Sequence, residues 1–293
     1  MFHKTKDLVS QSLKELHSVL KANKAALFIL LFFQILTISI ASYIIIIASI
    51  TLTTDLQNLT TPLEAMNLED PSISEQEILL QGAKMYAAYE ELSKNLTKYI
   101  VMLALLFFTL PGISWSLSHI VVQKTKHSSA RTAWSKERVK KFFQILFQNY
   151  LRYLQITATL FLPYAIIMYV TGSFLLSADI IIFTNAMQLF FVLGIVLILL
   201  WLFLLSQPLQ TSLKHFFHSL NTTVSWEKLS LFYLTAVLIA LPIAASLYAL
   251  QYTTVINEQF TLMLIAAFFF FSFLVLARLL LILNCKQLFW GNI

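Results

Sequence analysis

Charge is what this sequence has least of. Only 12% of its 293 residues are Asp, Glu, Lys or Arg, and 58% are apolar; a soluble domain carries about 25% charged residues. Residues 25–54, 99–118, 153–178, 180–213, 229–257 and 259–277 contain no Asp, Glu, Lys or Arg at all. Runs of that length exclude an ordinary soluble core, because about 20 apolar residues already cross the hydrocarbon of a bilayer as a helix. Glycine is scarce too, at five residues. No G-x-G-x-x-G, Walker A, G-x-S-x-G or H-E-x-x-H pattern occurs, so the common phosphate-cradling, hydrolase and zinc-protease signatures are missing. One cysteine, Cys285, permits no internal disulfide and fits any compartment. No acid sits in the middle of an apolar run, where proton-coupled pumps place one.

What remains is long apolar helices. The runs do not alternate apolar and polar residues, which excludes barrel strands. The sequence predicts an all-α, polytopic membrane protein with six transmembrane helices, near 27–50, 99–119, 156–176, 180–204, 230–250 and 260–283. Interfacial amphipathic helices and one periplasmic helix complete it. Residues 1–293 form a single integral membrane domain, with an acidic outer segment at 53–97 and a basic connection at 119–155. The first apolar run is too long for a signal-peptide core and is read as a retained helix.

The basic residues set an orientation. Sixteen of the 20 Lys and Arg fall in segments 1–24, 119–155, 205–229 and the tail, while the opposite side has Lys84, Lys94 and Lys98. Basic loops stay cytoplasmic, so both termini are expected inside and residues 53–97 outside, in the manner of a cell inner membrane protein. Ten of the 14 acids fall in the outer segments. Trp134, Trp226 and Trp290 lie in inner segments, and Trp115 and Trp201 near inner helix ends, as interfacial Trp should. The net charge of +6 is thus a topology signal. No nucleic-acid module accompanies it, and no nucleic-acid partner is expected.

Three inner segments look alike: LKELHSVLKAN from Leu13, VKKFFQILFQN from Val139 and LKHFFHSLNTT from Leu213. Apolar residues recur at i, i+3 and i+7, one helix face. Two readings stand: three tandem units, each an amphipathic helix plus a membrane hairpin, or basic amphipathic loops with no common origin. Such helices bury Leu and Phe at the acyl boundary and keep Lys among headgroups. Lys124, Lys126, Arg131, Lys140 and Lys141 are candidates for contact with lipid or another anion. A solvated positive-inside loop accounts for them as well.

Candidate chemistry is thin. His215 and His218, i and i+3, could share a metal, but no further ligand lies near them, and no cofactor or metal is expected. Arg278 stands inside the last apolar run; it reads as snorkelling to the inner headgroups, or else as an anion contact. A snorkelling cation tolerates lysine. Asn185 and Gln188 could line a polar path or bond a neighbouring helix. Pro111, Pro163 and Pro242 should kink their helices. Asn58, Asn95 and Asn221 stand in low-specificity glycosylation sequons, and Cys285 is an acylation candidate or an inert thiol.

The outer segment carries its own pattern. Ser74 and Glu77 form a capping box, so a helix should start near Glu75. Ile78, Gly82, Met85, Tyr89, Leu92 and Leu96 then share one face. No proline intervenes before Pro111, so the helix can run on into the second membrane span. Bending onto the membrane surface at Gly82 is the expectation for this stripe; self-pairing and a periplasmic partner are the alternatives.

The stretch SISEQEILLQGAKMY, between the first and second membrane helices, resembles the corresponding segment of the YciC-like family of uncharacterised bacterial inner-membrane proteins. The amphipathic leader, PLQTSLKHFFHSLNTTVSWEKLSLFYLTAVLIALPIAAS and FLVLARLLLILN are similar as well. The resemblance implies a polytopic bacterial inner-membrane protein and brings no activity or site residues with it. The sequence reading is therefore a non-enzymatic membrane protein concerned with envelope organisation or lipid contact. Membrane lipids, and a periplasmic or inner-membrane protein, are its expected partners, with oligomeric state open. A transporter or channel for a small solute is the alternative. A lipid-modifying enzyme has least support, for want of a clustered nucleophile, base or metal set.

Overall fold

Asn23 ends one helix and begins the next. Its backbone N–H donates to the Val19 carbonyl at 3.0 Å and its side-chain amide to the same carbonyl at 3.3 Å. Its own carbonyl accepts from the Leu27 N–H at 3.1 Å. Asn suits such a junction because its short amide can bond nearby backbone. A computed structural model describes residues 2–65, 75–124, 136–175, 180–207, 226–256 and 260–290. Among these the chain forms α1 (Phe2–Ala22), α2 (Lys24–Ala65), α3 (Glu75–Lys124), α4 (Lys136–Leu175), α5 (Ile180–Ser206), α6 (Trp226–Ile256) and α7 (Phe260–Trp290), with no strand.

Six spans long and apolar enough to cross a membrane, Lys24–Pro62, Ile78–Gln123, Val139–Thr171, Gln188–Ser206, Lys228–Ala249 and Ile265–Leu288, fall one in each of α2 to α7. The protein is a multi-pass, all-helical membrane protein, as its composition requires. The helices are longer than hydropathy alone suggested. Of the basic connection expected at 119–155, residues 119–124 complete α3 and 136–155 form the first half of α4. The acidic segment 53–97 is helical at 53–65 and at 75–97.

The chain divides into two units. One, a bundle, comprises Met1–Gln34 and Gly112–Ile293; the other, a hairpin, comprises Ile35–Pro111. In the bundle, Trp115, Tyr153, Phe203, Phe232, Leu279 and Leu283 lie in one buried cluster. The leader helix α1 belongs to it. Ser12, Leu16 and Val19, at i, i+4 and i+7, are buried, whereas Leu13 is 48% exposed. Ser12 donates to Asn284 and, at 2.9 Å, to Gln287 of α7, and Glu15 pairs with Lys286 at 3.8 Å. The buried face is thus rotated from the one read in the sequence, because polar bonds to α7 recruit Ser12 inward. The second repeat segment, from Val139, continues without a break into the span of α4, unlike α1 and α2, which separate at Asn23. The third, from Leu213, lies outside the described residues, as do His215, His218 and Asn221.

In the hairpin, Ile44 and Ala48 of α2 pack with Tyr99 of α3, with Leu103 and Leu106 beside them. Thr51 and Tyr99 share a hydrogen bond between their hydroxyls at 2.9 Å, and the Asn95 amide donates to Asp55 at 2.9 Å. Lys98 lies 5.5 Å from the Tyr99 ring centroid. These contacts gather where charge begins on both helices: after Thr54 on α2 and before Tyr99 on α3. The part of α3 within the hairpin alone measures about 55 Å at 1.5 Å per residue, longer than the ~30 Å hydrocarbon. Of the apolar stripe, Met85 and Leu92 are half-buried, while Ile78, Tyr89 and Leu96 are exposed. α3 begins at Glu75 and passes Gly82 without a break in the helix; Ser74 lies outside the described residues.

Candidate functional site: a buried polar cluster

Residues 112–122 of α3 carry four polar side chains, Ser114, Ser116, Ser118 and His119, inside an apolar span, and all four are buried. Gly112 comes first. A Cβ there would stand 2.7 Å from Tyr153 Cδ1 and 2.8 Å from Tyr150 Cε2, so only glycine admits these α4 rings against the α3 backbone. Ser116 and Ser118 return their hydroxyls to the carbonyls of Gly112 and Ser114, at 2.7 and 2.8 Å. Back-bonding of this kind satisfies a buried hydroxyl within its own helix.

His119 reaches across to α5. Its Nε2 lies 2.7 Å from the Leu205 carbonyl. A carbonyl can only accept, so Nε2 carries the proton. Leu205 stands in the last turn of α5, where carbonyls lack intrahelical partners, and the histidine fills that vacancy. Beside it, the Asn149 amide donates to the Ser116 carbonyl at 3.4 Å. The Asn149 Oδ1 and the Ser114 Oγ are buried without a hydrogen-bond partner among the described residues.

Trp201 of α5 is the aromatic centre. Its indole N–H donates to Thr157 Oγ1 at 2.9 Å. Trp115, Tyr153 and Phe161 surround it edge to face, with ring centroids 6.2, 6.0 and 6.0 Å away. Edge-to-face rings bring a positive rim to a negative face and add about 0.5–1.5 kcal/mol per pair beyond area burial.

Arg278 of α7 joins the cluster from the other side. Its Nη2 donates to Gln34 Oε1 at 2.6 Å, and its guanidinium carbon stands 5.4 Å from the Trp115 ring centroid. Its Nη1 is buried with no hydrogen-bond partner among the described residues. The guanidinium is therefore held among α2, α3 and α7, an engagement that snorkelling does not require. Together His119, Asn149, Arg152, Tyr153, Ser116 and Trp115 line a cavity of about 10 Å³, room for about one water molecule.

Of the residues singled out in sequence, the structure brings Arg278, Trp115 and Trp201 into this cluster; the two tryptophans, expected at the interface, are buried in the bundle. Lys140 and Lys141 are exposed on α4. Lys124 closes α3, and Lys126 and Arg131 lie outside the described residues. Asn185 and Gln188 are exposed on α5, and Cys285 is buried in the core. No motif in the linear sequence marks His119, Asn149 or Gln34 as site residues, and Arg152, within the basic connection expected at 119–155, belongs instead to the apolar span Val139–Thr171. What signal there is lies in α4: Asn149, Arg152, Tyr153, Ile156 and Thr157 recur at i, i+3, i+4, i+7 and i+8, a largely polar face turned inward.

Comparison with protein-family models, with curated proteins and with solved structures gives no match for this chain.

Proposed function

We propose that the protein is a non-enzymatic membrane scaffold that organises or contacts envelope lipid, set in a bacterial inner membrane with both termini cytoplasmic. The carrying observation is how the buried polar groups are used. Arg278 with Gln34, His119 with the Leu205 carbonyl, Trp201 with Thr157 and Ser12 with Asn284 join one helix to another. Polar side chains that lock helices serve packing, whereas a transport path sets them facing a solute-sized space. The cavity beside His119 holds about one water. The excess of Lys and Arg in segments 1–24 and 119–155 supports the orientation, and the resemblance to YciC-like proteins supports the membrane.

The test is native mass spectrometry of the protein extracted with its surrounding bilayer, read for lipids and small molecules together. Retained phospholipid with no stoichiometric water-soluble solute is the expected result. One solute bound per chain, or solute flux into vesicles containing the purified protein, overturns the scaffold in favour of a transporter.

A further inference from the structure

A second feature of the bundle lies away from the polar cluster, at the start of α2. Lys24, Leu27, Phe28 and Leu31 line an open groove of about 230 Å³. Phe28 is 74% exposed, while Leu27 and Leu31 pack inward on the core. Three of the four lining residues stand inside the charge-free stretch 25–54, and the fourth is the last charge before it. Lys21, three residues earlier, is exposed as well.

We infer that this groove seats an anionic phospholipid, with one acyl chain along Leu27, Phe28 and Leu31 and the headgroup phosphate on Lys24. Position decides the apolar half. A groove on a membrane span opens onto hydrocarbon, so a lipid chain and not a soluble ligand fills it. Charge decides the polar half. The groove ends on an exposed lysine, with Lys21 close in sequence, and a basic residue near the bilayer surface attracts anionic headgroups. A zwitterionic lipid of equal chain length gains the apolar contact without that attraction. The site differs from the basic α4 segment, where Lys140 and Lys141 stand exposed. The inference rests on the lipid-contact reading above and narrows it to one headgroup class and one place.

The experiment uses the full chain, delipidated in detergent and offered equal phosphatidylglycerol and phosphatidylcholine with the same acyl chains. Native mass spectrometry then counts what each protein retains. The native protein should keep one phosphatidylglycerol in preference. Lys24→Ala should lower that retention about fivefold, the equivalent of about 1 kcal/mol per surface lysine. Lys24→Arg should restore it, and Phe28→Ala should weaken retention of both lipids. Replacing Lys140 and Lys141 together by Ala should change nothing. Equal retention of the two lipids by the native protein overturns the inference, as does a loss in the Lys140/Lys141 double variant matching that of Lys24→Ala. Either outcome leaves the scaffold reading standing, which falls only to a bound or transported solute. If Lys24→Ala does not fold, the lipid preference of the native protein and of Lys24→Arg still decides.

Discussion

Arg278 and the two glycines of α3 show what a single residue decides. The sequence places Arg278 near the end of an apolar run, which suits a snorkelling cation and a tolerated lysine. Packing gives it a hydrogen bond to Gln34 and a cation–π distance to the Trp115 ring, and an ammonium does not reproduce the guanidinium's planar fork. Arg278→Lys should destabilise the protein by about 1–2 kcal/mol, and Gln34→Leu by about 1.5–3 kcal/mol, the range for hydrogen bonds to charged groups. A double-mutant cycle read by thermal unfolding in detergent should give a coupling of at least about 0.5 kcal/mol. Additive losses would return Arg278 to the headgroups. Gly112 and Gly82 lie in the same helix and should behave oppositely. Gly112→Ala forces a methyl onto two tyrosine rings and should cost about 1–3 kcal/mol. Gly82→Ala meets nothing within 4 Å and should stabilise by about 0.5–1 kcal/mol through helix propensity. Equal effects at the two sites would mean that the α4 rings do not press on α3.

At the scale of elements, the existence and kind of each helix were legible, and their lengths were not. Charge-free runs mark where a helix meets hydrocarbon, but a helix continues wherever its polar groups find water or partners. α4 therefore runs on from a basic, amphipathic start, and α3 from an acidic one. Ser74 and Glu77 predict a helix start near Glu75, and the described part of α3 begins there, with Ser74 outside the described residues. The polar cluster was hidden because its members come from α2, α3, α4, α5 and α7, and no linear spacing joins Gln34 to Arg278. The apolar stripe of α3 also divides in a way that periodicity alone could not show. Met85 and Leu92 are half-buried, while Tyr86 and Tyr89 are 71% and 57% exposed. With Cys285 first replaced by alanine, a cysteine at Met85 should react with a water-soluble thiol reagent several times more slowly than one at Lys84. Equal rates at the two positions would show that this edge of α3 is not covered. Efficient disulfide-linked dimers at position 85 would assign the stripe to a second copy.

For the whole molecule, an even number of crossings has a geometric consequence. Six spans return the chain to the side from which α1 leads into the first of them, and α1 can meet the far end of α7 only if the number of crossings is even. They do meet: Ser12 of α1 bonds Asn284 and Gln287 of α7, and Glu15 lies 3.8 Å from Lys286. Which side they share follows from a different quantity, the distribution of Lys and Arg across the connections. A reporter active only outside the cytoplasm should therefore work when fused after Ala65 and fail after Ser129, and one active only in the cytoplasm should do the reverse. Inversion at both sites would turn the whole molecule over while leaving every helix contact intact. Inversion at one site alone would break the six-span count, and with it the reason for α1 and α7 to stand together. Ser12→Leu should separate these two cases. It leaves the charge distribution untouched, so the reporter pattern should not change. It removes the hydroxyl that Asn284 and Gln287 accept, and should lower thermal stability by about 1–3 kcal/mol, the penalty for leaving a buried polar partner unmade.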